Sequence, residues 1–63
     1  MTNYQQAKSN LKRLAKEVKF PYREDKPLIR MIINDGVDIY SKDLNLSEHQ
    51  RDLLSNYACK LHP

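Results

Sequence analysis

The stretch Lys26–Leu44, KPLIRMIINDGVDIYSKDL, decides the fold, because its apolar content makes it the centre of any core this chain can build. Two readings compete for it. Asn34-Asp35-Gly36 lies between Leu28–Ile33 and Val37–Tyr40, and Asp-Gly between β-branched runs is a strong hairpin signal. Wound at about 100° per residue, the same stretch instead becomes an amphipathic helix. Leu28, Ile29, Ile32, Ile33, Gly36, Val37, Ile39, Tyr40 and Leu44 then share one arc of about 180°. Arg30, Asn34, Asp35, Asp38, Ser41 and Lys42 fill the other side, and only Met31 and Asp43 are out of place. Strand alternation is less clean, since it groups Leu28 and Ile32 with Arg30. The start signals agree with a helix: Asp25 can accept a first-turn N–H, and Pro27 sits where its missing donor is not needed. Gly36 inside a helix costs about 1 kcal/mol relative to Ala, which implies a neighbouring helix that approaches closely. The pattern predicts a central helix over about 26–43. An α–β-hairpin–α arrangement turning at Asn34–Gly36 is the alternative.

The flanks extend the helical pattern. Thr2 followed by Gln5 fits a capping box, and Tyr4, Ala7, Leu11, Leu14 and Val18 recur at helical spacing, which predicts a first helix over 3–19. Pro21 biases Phe20 away from the α-region, so the helix stops there. Phe20 and Tyr22 are expected to cover the ends of the core. Ser47 with Gln50 forms a second capping box and opens a third helix over 47–61. Its apolar stripe is Leu53, Leu54, Tyr57, Ala58 and Leu61, with Cys59 on the polar side. Lys60 and His62 suit the C-terminal end, where positive charge meets open carbonyls.

A chain of 63 residues makes one domain, here 1–63, and buries only about 60% of its unfolded surface. Such domains need a staple. One cysteine excludes an internal disulfide, and no ligand cluster suggests a metal. Self-association remains, and the wide apolar arc of the central helix agrees with it. The fold class is therefore all-α, a small three-helix domain, with a homodimeric bundle as the expected assembly. No apolar leader and no run of 18 apolar residues is present, so neither export nor a membrane span is expected. A single cysteine fits the cytosol.

Charge is unevenly placed. Residues 1–23 hold six Lys/Arg against Glu17, a net of +5, whereas residues 24–63 hold five basic and seven acidic residues, a net of −2. Lys8, Lys12, Lys16 and Lys19 gather in an arc of about 80° beside the apolar seam of the first helix. They are candidates for contact with nucleic acid or an acidic partner. They equally suit a solvated face whose stems shield the seam. A helix-turn-helix fits poorly, because Glu48 and Asp52 would meet phosphates at the head of the recognition helix. His49 and His62 have no further ligand at metal spacing, and no nucleophile–base–acid set is visible. The reading is a non-enzyme without cofactor. Leu28, Ile29, Ile32, Ile33, Ile39 and Tyr40 are expected to carry folding and self-association.

Three segments give the chain its overall look: LKRLAKEVK at 11–19, PLIRMIINDGVDIY at 27–40 and LSEHQRDLLSNYACKLH at 46–62. In size and layout it resembles the small helical accessory proteins of lambda-like temperate bacteriophages, encoded in the early region between the exonuclease and excisionase genes. That resemblance implies a non-enzymatic early protein in the bacterial host cytoplasm. It would bind host or phage proteins and modulate host physiology or the choice between lysis and lysogeny. It supplies no functional residues. The expected function is regulation by protein–protein binding, and the alternative is a small nucleic-acid-binding protein that uses its basic first helix.

Overall fold

The computed structural model describes residues 2–61 and contains three helices: α1 (Asn3–Lys19), α2 (Lys26–Asp43) and α3 (Glu48–Leu61). Among the described residues there is no strand, so Lys26–Leu44 is a helix and the hairpin alternative is overturned. Gly36 has no positive φ, as a type I′ turn would require. His62 lies outside the described residues.

Each helix begins where its side chains satisfy the free N–H groups. At α1, Gln5 N–H donates to Thr2 Oγ1 at 3.1 Å and Thr2 N–H to Gln5 Oε1 at 3.0 Å. At α2, Leu28 N–H donates to Asp25 Oδ1 at 3.2 Å. At α3, Ser47 and Gln50 exchange the same pair of bonds, at 3.2 and 3.0 Å. The end of α2 is a Schellman motif. Leu46 N–H bonds Ser41 O at 2.9 Å, Asn45 N–H bonds Lys42 O at 3.2 Å, and Asn45 takes the left-handed φ of 52°. Asn3 Nδ2 donates to Leu44 O at 3.0 Å and ties the start of α1 to this corner.

All three helix pairs pack against one another in a body of 33 × 18 × 17 Å. An 18-residue helix is about 27 Å long, so the helices run along the long axis. The core among the described residues is Ala7, Leu11, Ala15, Val18, Ile29, Ile33, Val37, Leu54 and Ala58. The three alanines let the backbones close in. Gly36 does the same on α2: a Cβ there would stand 2.7 Å from Leu14 Cδ2 and 3.1 Å from Leu11 Cδ1. The close helix approach inferred from the glycine is therefore real.

Several placements differ from the sequence reading, among them Ser41, assigned to the polar side of α2 but buried. Phe20 and Tyr22 do not cover the core ends: Phe20 is 81% exposed and Tyr22 is also open. Val18 and Ile29 already fill that end, and Tyr22 N–H to Val18 O and Asp25 N–H to Tyr22 O hold the connection in a tight turn. Leu53 is exposed, leaving Leu54 and Ala58 as the buried part of the α3 stripe. Ile39 is 54% exposed and is no part of the core of one chain. The α1 helix meets α2 at Gly36, and α3 meets it through the Asp38–Arg51 ion pair. Ile39 lies on the side that neither reaches.

Candidate interaction surfaces

The six apolar α2 residues expected to carry folding and association separate into two groups. Ile29 and Ile33 are buried, Ile32 and Tyr40 are half-buried against the core, and Leu28 is half-buried without packing on it. Ile39 looks outward. On the helix wheel, Met31, Leu28 and Ile39 span an outward arc of about 80°, and Ile32 at its edge turns to the core. Met31 is as open as Ile39, at 53%. Asp35 and Lys42 are the charged residues inside this arc, and both are exposed. The helix thus has an inner apolar face covered by α1 and α3 and an outer one left to solvent.

The four lysines of α1 stay together on the side that faces α3. Lys12, Lys16 and Lys19 are exposed, and Lys8 is half-buried. Lys8 Nζ stands 4.9 Å from the centroid of the Tyr57 ring and 5.9 Å from that of Tyr4, so it bridges α1 and α3 by cation–π attraction. A shallow hollow of about 380 Å³ runs between Gln5, Lys8, Ser9, Lys12 and Tyr57. Glu17, the one acid of α1, lies across the helix and lines a different hollow with Arg13, Leu14 and Tyr40. Among the described residues the ion pair is Asp38–Arg51, and none of the four lysines takes part in one. Lys60, three residues on from Tyr57 and exposed, adds a charge from α3.

Phe20 was expected outside the α-region because Pro21 follows it, but it stays within it. Phe20 continues the row Lys12, Lys16 at four-residue spacing, because its φ of −70° and ψ of −55° keep the helical path for one more residue. It therefore stands at the end of the lysine stripe. Beyond it the connection forms an open hollow of about 480 Å³ lined by Phe20, Pro21, Tyr22, Arg23, Glu24 and Asp25.

Cys59 is free and exposed, and His49 is exposed. No group of three His, Cys, Asp or Glu residues comes together as a metal site among the described residues. No helix among them is long and apolar enough to cross a membrane. No protein-family model, curated protein or solved structure matches this chain.

Proposed function

We propose that this protein acts without catalysis, by protein–protein binding, and that the outer face of α2 is the contact, occupied in the first instance by a second copy of the chain. The observation that carries the reading is the exposure of Ile39 and Met31 on a helix whose opposite side is already packed. A helix apolar on two faces is suited to burial on both. The charges on the outer face favour a second copy. Two α2 helices laid antiparallel and crossing near Ile39 set Asp35 of each against the partner's Lys42, so the face complements itself. The resemblance to phage early accessory proteins adds the biological setting: a small regulator that engages host or phage proteins and influences host physiology or the lysis–lysogeny choice.

Light scattering coupled to size exclusion tests this. The wild type is expected at twice the 7.5 kDa chain mass. Ile39→Asp is expected to keep its helicity and run as a single chain. Asp35→Lys is expected to weaken the pair, and Asp35→Lys with Lys42→Asp to restore it. A wild type that stays at the mass of one chain at every concentration refutes self-association through this face.

A further inference from the structure

We infer that the lysine stripe of α1 and the Phe20 ring beside it form a binding site for single-stranded nucleic acid, with phosphates on the lysines and a base stacked on Phe20. This site lies away from the outer face of α2 and does not rest on the reading given for that face.

Three observations carry it. First, Lys8, Lys12, Lys16 and Lys19 follow one line on α1 over about 16 Å, with one charge every 4.5–6 Å or so along the axis. No acid shares their side of the helix, and Glu17 lines the opposite groove. A line of fixed cations suits a polyanion whose own charges repeat at regular intervals. Second, Phe20 stands one turn beyond Lys16, about 40° further round the helix, and is 81% exposed. An aromatic ring beside a cationic track is the arrangement that holds single strands, because every base has a π-face to stack. Duplex bases are already stacked and offer no such face. Third, the hollow past Phe20 has Tyr22 and Arg23 on its walls, so a base leaving the stripe meets a second exposed ring and a guanidinium. Glu24 and Asp25 line the same hollow, so it suits a neutral base and leaves the phosphates to the lysines. The face lacks an Arg/Asn/Gln set for reading base edges, so binding follows strandedness more than sequence. An acidic protein would also meet the lysines, but it would leave the exposed Phe20 without a role.

Fluorescence anisotropy with a labelled oligo(dT) of about 20 nucleotides, longer than the stripe, tests the assignment. A duplex of equal length and polyglutamate serve as competitors. Binding of oligo(dT) is expected at about 50 mM salt, with log K falling against log salt at a slope of about −3, for four lysines on a single strand. Lys12→Gln, Lys16→Gln and Lys19→Gln together are expected to bring the slope to about −1, since only Lys8 then remains. All three are exposed, so circular dichroism is expected to be unchanged. Phe20→Ala is expected to weaken oligo(dT) binding at least about fivefold, the lower end of one base–aromatic stack, without altering duplex binding. RNA of the same length distinguishes the two kinds of single strand, and either as the tighter ligand supports the site. Absence of binding, a slope unmoved by the triple variant, or an affinity indifferent to Phe20→Ala would overturn it. Equal displacement by polyglutamate would assign the face to acidic proteins and also overturn it. The oligomeric mass is read separately, so failure here is distinct from failure of the α2 contact.

Discussion

Ile33→Ala and Ile39→Ala remove the same atoms from the same helix, so the pair isolates burial. Ile33 is 0% exposed and sits among the helices, whereas Ile39 is 54% exposed. Three carbons are lost in each case. At about 0.8 kcal/mol per buried carbon, Ile33→Ala forfeits about 2.4 kcal/mol of transfer free energy. The cavity left at a fully buried site raises that to about 3–4 kcal/mol. Ile39→Ala forfeits about half the transfer term, about 1.1 kcal/mol, and leaves no cavity. Ala is also the better helix former by about 0.4 kcal/mol, which reduces the net loss to about 0.7 kcal/mol. A domain of this length has roughly 3–9 kcal/mol of total stability, so Ile33→Ala is expected to lose about a third of it or more and to melt at markedly lower urea. Ile39→Ala is expected to fold. The assay is urea denaturation followed by far-UV circular dichroism, at low and at high protein concentration. If α2 also joins two copies, the deficit of Ile39→Ala grows with concentration, because only the wild type gains from association. Equal losses for the two variants at low concentration would refute the placement of Ile39 outside the core.

Two further substitutions probe the packing. Gly36→Ala gains about 1 kcal/mol of helix propensity but presses a Cβ on Leu14 and Leu11. Leu14 borders a hollow of about 300 Å³ and can turn into it, so the variant is expected within about 1 kcal/mol of the wild type. Gly36→Leu forces three more carbons between α1 and α2 and is expected to cost about 3 kcal/mol, and a neutral result would contradict the close approach. Ser41 is buried and its hydroxyl has no hydrogen-bond partner. Ser41→Ala is therefore expected to raise stability by about 1 kcal/mol in the same melts, through relief of the unpaired group and better helix propensity. A loss would show that the hydroxyl is bonded.

The helix boundaries were legible because capping is local. Thr2 with Gln5, Asp25 before Pro27, and Ser47 with Gln50 each bond within three residues, so sequence spacing states the contact directly. Gly36 was legible as a close approach for the same kind of reason, since an unfavourable residue in a helix implies a local use. The α2 terminus was less so. Its left-handed residue is Asn45 where glycine is usual, and the motif shows only in the bonds from Leu46 and Asn45. The lysine stripe was visible as an arc, but the engagement of Lys8 with Tyr57 depends on where α3 lies, which no periodicity on α1 encodes.

The outer face of α2 was legible only as an over-wide arc, and which of its residues face outward was not. A wheel sorts residues by direction and not by whether anything stands in that direction. An apolar arc of about 180° needs more neighbours than two helices provide, because each partner reaches one side only. Here α1 takes the Gly36 side and α3 the Asp38 side, which leaves Ile39 uncovered although it belongs to the same arc as Ile33. Met31, the apolar residue that the wheel left out of place, then falls beside it. What looked like a stray residue and an over-wide arc is a single second surface, divided from the first by the number of helices available to cover it.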